Sequence, residues 1–368
     1  RGQGQALSPS LSFRERRRKH FERLVSLLIS FNRPLPGTTM TIAKYLLLCG
    51  ACLIGGANAA EPVFSESFLE APAGIGLLKG TLLTPKSPPT ATVLIVPGSG
   101  PTDRDGNNPL GVKASTYRLL AEGLAAQGVA TLRIDKRGMY ASAGAVKDPN
   151  AVTIADYVAD VNAWVATLRK DTGAPCVWVL GHSEGGLVAL ATAAKKGPGI
   201  CGLVLASAPG RPMGEVLRGQ LKANPANAPL LAQALPALDA LEKGQHVDTQ
   251  ALPAPLQGLF RSNVQGYLID AFSYDPAKLI AGLPLPVLVL QGQRDLQIGE
   301  ADARLLAQAD PKAELVLLPD VNHPLKSVTS DDPRVNMAAY ADPSLPLAPG
   351  VVDAITGFLA RHPTGAGR

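Results

Sequence analysis

Ser183 stands at the centre of Gly181-His182-Ser183-Glu184-Gly185, a G-x-S-x-G spacing. The apolar run Val177 to Leu180 precedes it, and the Ala-rich run Leu187 to Ala194 follows, stopped by Gly197-Pro198. The first reads as a strand buried on both faces and the second as a buried helix, which puts the serine on a tight strand-to-helix turn. Such a turn strains the serine backbone, the flanking glycines remove side chains that would collide, and the hydroxyl is left protruding as a nucleophile. A helix beginning at Glu184 directs unpaired N–H groups at the same spot, so the Glu184 amide is a candidate donor to an oxyanion.

A serine hydroxyl needs a base. Downstream of residue 60 the chain offers His182, His246, His323 and His362. His182 adjoins the serine but is expected to point away from it, His246 falls in a helical block, and His362 lies in a Pro/Gly tail expected to fray. His323 remains, in Leu318-Pro319-Asp320-Val321-Asn322-His323-Pro324, just past the last expected strand. Parallel strands end at one edge, and Asp295, in Gln291-Gly292-Gln293-Arg294-Asp295, follows the preceding strand at that edge. It is the expected acid to hold the imidazole. Asp320 is the alternative, disfavoured because a residue three before the histidine rarely reaches its far nitrogen. The order Ser, Asp, His, each immediately after an expected strand, ties the three together.

The elements that must position these groups alternate. Strands are expected at 65–72, 76–84, 92–96, 129–134, 177–180, 203–206, 286–290 and 315–318, with helices at 115–127, 300–309 and 351–361. A further helix starts at the capping-box pair Thr153 and Asp156, with Ile154, Val158, Val161, Val165 and Leu168 at helical spacing. Strands alternating with helices predict an α/β fold with a mostly parallel sheet covered on both faces. Residues 211–282 give no strand signal, only leucine-spaced helical stretches broken by Pro225, Pro229, Pro236, Pro253 and Pro255. They read as a helical cap inserted between a first core segment, 61–210, and a second, 283–368.

The basic character of the chain is confined to its beginning. Residues 1–60 hold nine of the 35 Lys and Arg and two of the 30 Asp and Glu, leaving 26 basic against 28 acidic residues in the remainder. The pI near 9.0 therefore gives no support to nucleic-acid binding. Met40, Lys44, the apolar run Tyr45 to Gly56 and Ala57-Asn58-Ala59 have the order of a secretory signal peptide over 40–60. Its apolar part is too short for a membrane span, which needs about 20 residues. Residues 1–39 read as an upstream segment without function, and the rest as an exported protein, periplasmic or secreted. Cys52 after Gly50-Ala51 leaves a lipoprotein as the minor alternative, with Cys49 where a leucine is expected. Cys176 and Cys201 each stand just before or at the start of a strand flanking the serine helix. In an oxidising compartment they form either a disulfide or two buried thiols.

With these motifs in view, the chain over roughly 62–362 resembles an α/β-hydrolase, with Gly181 to Gly186 as its nucleophile elbow. Pro97-Gly98-Ser99-Gly100 resembles the oxyanion loop after the third strand of that fold, which implies the backbone N–H of Ser99 as the second oxyanion donor beside Glu184. Gly98 to Asn107, Asp135-Lys136-Arg137-Gly138 and Asn322-His323-Pro324-Leu325-Lys326 are similar to the secreted and cytoplasmic esterases grouped with serine aminopeptidase-like hydrolases. The sequence departs from that pattern at Met139-Tyr140-Ala141-Ser142, where the family usually has a glycine soon after Arg-Gly.

The resemblance implies a serine carboxylester hydrolase acting on a small-molecule ester, secreted if the signal-like segment acts as one, and the leucine-rich cap is expected to favour small to medium acyl groups. Leu256, Leu259, Phe260, Tyr267, Leu268 and Phe272 of the cap are candidate walls of the acyl pocket, or else the cap's own core. An aminopeptidase or acyl-thioesterase with the same three residues is the enzymatic alternative, and a non-catalytic binding module is the other class. No metal cluster and no dinucleotide or phosphate fingerprint is present in the sequence, so no cofactor is expected. The charges at Asp103, Arg104 and Asp105 are expected to meet Lys136 and Arg137 and pin Ser99.

Overall fold

A computed structural model describes residues 63–363; the upstream segment, the signal peptide expected over 40–60 and its two cysteines lie outside them. The chain opens with an antiparallel pair, β1 (Phe64–Pro72) and β2 (Leu77–Pro85), followed by β3 (Ala91–Val96). Then come α1 (Thr116–Ala126), β4 (Val129–Ile134), α2 (Ile154–Thr172), β5 (Val177–His182), α3 (Glu184–Ala194) and β6 (Ile200–Ala206). Five helices follow: α4 (Met213–Ala223), α5 (Leu231–Glu242), α6 (Ala254–Gln257), α7 (Ser262–Phe272) and α8 (Pro276–Ile280). The chain returns through β7 (Val287–Gly292), α9 (Glu300–Ala309), β8 (Glu314–Leu318), α10 (Pro333–Ala338) and α11 (Val351–Arg361).

The eight strands form one sheet in the order β1-β2-β4-β3-β5-β6-β7-β8. From β4 to β8 every pairing is parallel, and β2 joins β4 antiparallel. The central strands β3, β4, β5 and β7 are buried at every residue, as strands with helices on both faces must be. One face carries α2 and α3, with Trp164, Val161, Leu187 and Leu190 in its core. The other carries α1 and α11, with Leu120, Leu124, Ile355 and Phe358. The capping box at Thr153 is formed in full, with the Asp156 carboxylate accepting from the Thr153 N–H at 2.9 Å.

The cap helices bury a separate cluster around Leu221, Leu238, Leu241, Leu256 and Phe260. Pro225 and Pro229 fall in a 3₁₀ segment, and Pro253 and Pro255 lie at the start of α6, where an absent N–H is tolerated. Pro236 departs from the expectation of a break: α5 continues through it, its apolar face holding Ala234, Ala237, Leu238 and Leu241 in the cap core.

Candidate active site

Ser183 joins β5 to α3 with φ 56° and ψ −126°, a backbone conformation costly for a residue with a side chain. Its N–H donates to the Ala206 carbonyl at 3.0 Å, and its own carbonyl accepts from Gly186 N–H at 2.8 Å, so the turn is tied at both ends. Close approach explains the two glycines of the motif. A Cβ on Gly181 would stand 2.2 Å from the Gly185 carbonyl oxygen, and one on Gly185 would stand 2.3 Å from that of Val96.

β7 ends at Gly292, and the turn after it carries Asp295 into the interior. Asp295 Oδ1 accepts from the N–H groups of Gln297 at 2.8 Å and Ile298 at 2.9 Å, while Oδ2 accepts from His323 Nδ1 at 2.8 Å. Burial alone would raise the pKa of this carboxyl. The facing His323 imidazole and the two amide donors outweigh burial and hold it below the ordinary carboxylate range. An ionised Asp295 fixes the proton of His323 on Nδ1 and leaves Nε2 as the basic nitrogen. Asp320 is not part of this pair; its half-exposed carboxylate faces Arg294 at 3.8 Å.

His182 points away from the serine, as expected, and both of its ring nitrogens are engaged elsewhere. Its ring lies 4.8 Å from that of His323, and its Nε2 donates to the His323 carbonyl at 2.8 Å. With that nitrogen protonated, Nδ1 accepts from the Tyr117 hydroxyl at 3.0 Å, and the same hydroxyl accepts from Gly98 N–H at 2.9 Å. Burial, and then the charge of His323, lower the His182 pKa to about 3, so the ring is neutral. A directed chain of buried hydrogen bonds thus runs from the loop beside the serine to the backbone of His323. Tyr117 had no distinguishing signal in the sequence, where it reads as one more apolar-face residue of α1.

The loop 97–100 lies against the elbow: a Cβ on Gly98 would stand 3.1 Å from Ser183 Cβ. Among the described residues, neither the Ser99 nor the Glu184 backbone N–H donates to a protein acceptor. The charges following this loop choose partners other than those expected. Arg104 makes a paired contact with Asp135, at 3.1 and 2.6 Å, and Asp105 meets Arg133. Arg137 meets Asp160 and Asp156, and Lys136 donates to the Gly98 carbonyl. Asp103 spends its carboxylate on the N–H groups of Asp105 and Asn107.

One further expectation is changed: His362 is not frayed; it stacks near Phe358 and contacts Glu314 at 3.2 Å. Leu256, Phe260 and Phe272 belong to the cap's own core, whereas Tyr267 packs against the core beneath the sheet. Cys176 and Cys201 are joined in a disulfide, with Cα atoms 5.2 Å apart, linking the starts of β5 and β6. A cleft of about 540 Å³ opens away from the serine, over β1 and β2, where Lys79, Arg104 and Arg133 are each already paired with a carboxylate.

The sequence matches the family model described as serine aminopeptidase, S33, over residues 109–259. The structure superposes on the Pyrococcus furiosus esterase Pf2001 with a TM-score of 0.51 and 16% identity, covering 87% of this chain and 99% of that one. A second crystal form of that esterase gives a TM-score of 0.50, 16% identity and coverage of 85% and 98%. The chain has the α/β-hydrolase fold. Esterase EstD of Thermotoga maritima is 29% identical over 269 residues, 70% of this chain. The alignment spans 60% of EstD's length. Among the described residues, no helix is long and apolar enough to cross a membrane.

Proposed function

We propose that the chain is an exported serine carboxylester hydrolase in which Ser183 attacks the ester carbonyl. His323 takes the serine proton through Nε2 and returns it to the departing alkoxide, and Asp295 holds the imidazole in the required tautomer. The N–H groups of Ser99 and Glu184 receive the charge of the tetrahedral intermediate. Water then hydrolyses the acyl-enzyme by the same route in reverse. The observation that carries this reading is the buried 2.8 Å contact between an ionised Asp295 and His323 Nδ1, on the sheet edge where Ser183 is held strained. Export rests on the signal-like order of residues 40–60 and fits a disulfide between Cys176 and Cys201.

An ester is favoured over the amide of a free amine by the state of Glu184. It is the acid adjacent to the nucleophile, yet it is buried with its carboxylate 3.7 Å from Lys136 Nζ, so it is not offered to a substrate ammonium. The family description speaks for the aminopeptidase alternative. Tyr267 of the cap lies close enough to Glu184 for that carboxylate to raise its pKa, after burial itself. A cap seated so near the nucleophile suits small to medium acyl groups. Ser183→Ala is expected to lower hydrolysis of 4-nitrophenyl butyrate by on the order of 10⁶-fold with the fold intact. Turnover at the unmutated rate would reject Ser183, and cleavage of aminoacyl amides without any ester would replace esterase by aminopeptidase.

A further inference from the structure

Lys136 is a cation with almost no solvent contact, 5% exposed, on the loop after β4. Its Nζ donates to the Gly98 carbonyl at 2.7 Å, lies 3.7 Å from Glu184 Oε1, and sits 5.5 Å from the centre of the Tyr157 ring. Burial holds its pKa below the ordinary lysine value, and Glu184 offsets only part of that effect. A buried charge carries a desolvation cost that a single surface-type ion pair does not offset, and here the closest contact of the ammonium is a neutral carbonyl. What that carbonyl belongs to decides the matter. Gly98 C=O and Ser99 N–H are the two ends of one planar peptide unit. The described chain contains no cis peptide, so the two bonds point in opposite directions.

We propose that Lys136 is a positioning residue for the oxyanion hole: by holding the Gly98 carbonyl from behind, it aims and polarises the Ser99 N–H toward the reacting oxygen. The inference rests on the reading of Ser183 as nucleophile and Ser99 as donor. Tyr117 completes the clamp from the other side by accepting from Gly98 N–H at 2.9 Å, so both peptide groups flanking Gly98 are held by buried side chains. The ammonium draws electron density from the carbonyl, and hydrogen bonds in series strengthen one another. The peptide N–H therefore becomes a stronger donor when negative charge forms on the substrate oxygen, and is indifferent to the uncharged ester. Glu184 joins the two halves of the hole, because its backbone N–H is the other proposed donor while its side chain holds Lys136.

Lys136→Met keeps the length of the stem and removes the charge. Because it also leaves Glu184 buried without a counter-ion, it is compared with the double variant Lys136→Met/Glu184→Gln, in which both charges are gone and both backbone amides remain. Turnover of 4-nitrophenyl butyrate is measured per site, after titrating Ser183 to its endpoint with a fluorophosphonate, so that any misfolded fraction drops out. The expected result is a fall in kcat of about 10²-fold in both variants with KM within about threefold, the size of losing one preorganised donor. Affinity for a trifluoromethyl ketone, whose adduct carries the oxyanion, falls in parallel. Recovery of kcat in the double variant would overturn the proposal, since Lys136 would then serve only to neutralise Glu184. A rise in KM with kcat unchanged would also overturn it. Failure of the fluorophosphonate to label Ser183 in the unmutated protein would remove the nucleophile reading, and the proposal with it.

Discussion

Along the edge of the sheet, Gly98, Tyr117, His182, His323 and Asp295 are joined by directed hydrogen bonds of 2.8 to 3.0 Å. In the cap, residues 213–280, the comparable density of contact is made by Leu221, Leu238, Leu241, Leu256 and Phe260. Its polar contacts include Gln265, whose side chain bonds Val247 through both its oxygen and its nitrogen, and Arg218, which meets Asp239 and Glu242. The two regions therefore hold position by different means. Hydrogen bonds fix angles and protonation states, which catalysis by proton transfer requires. Apolar contact fixes volume and leaves direction loose, as suits a wall that admits a substrate. Changes at the edge are expected to cost mainly rate, with stability losses of about 1 kcal/mol or less, and changes in the cap to cost stability at nearly constant intrinsic rate.

The largest effect among the remaining variants is expected at Asp295. In Asp295→Asn, Oδ1 can still accept from Gln297 and Ile298, so the turn survives, but an amide nitrogen facing Nδ1 favours the wrong imidazole tautomer. A loss in kcat on the order of 10⁴-fold with an unchanged urea midpoint is the expected outcome. A loss under tenfold would show that the edge does not work by fixing the tautomer.

Phe260→Ala tests the other side of the contrast. Phe260 is fully buried in the cap, and truncation of such a side chain costs about 3–5 kcal/mol. Urea unfolding should show that loss, while kcat measured below the transition stays within a few-fold. A kcat reduced as far as in Asp295→Asn would erase the distinction between cap and edge.

How far these parts were legible in the sequence follows the range of the forces involved. The elbow motif is local: Gly181, Ser183 and Gly185 lie within five residues, and the collision at Gly181 is with Gly185 in the same turn, whereas the collision at Gly185 is with the Val96 carbonyl delivered by β3. The helix at Ile154 announces itself through Thr153 and Asp156, three residues apart. Asp295 and His323 are distant in sequence, yet parallel strands deliver both to one edge, so topology makes them readable. The Tyr117–His182 and Lys136–Gly98 contacts have no such rule. They depend on which rotamer fills the space behind a loop, and a tyrosine or lysine of the same spacing suits a surface equally well. Tyr140 is legible only afterwards: with φ 45° it occupies the left-handed region, within the stretch Met139 to Ser142 that departs from the resembled pattern.

The smallest effect concerns pH. The ordinary pKa of histidine is about 6.5, and burial lowers that of His182 to about 3 in the folded chain. Between those values the unfolded chain binds a proton at this position and the native chain does not. Stability contributed by neutral His182 is therefore present above pH 6.5 and is lost as the pH falls through that value toward 3. From pH 7.5 to 5.5 the loss amounts to about 1 kcal/mol. The groups facing the ring are Tyr117, His323 and Asp295. Tyr117 titrates far above this window and Asp295 below it, while His323 is common to both proteins compared. His182→Gln keeps a donor for the His323 carbonyl and removes the titration. Its unfolding free energy in urea, measured at pH 5.5, 6.5 and 7.5, should be lower than that of the unmutated protein at pH 7.5 and flatter across the series. Equal slopes in the two proteins would mean that His182 takes up its proton without disturbing the chain from Gly98 to His323. The edge would then be as tolerant of lost direction as the cap.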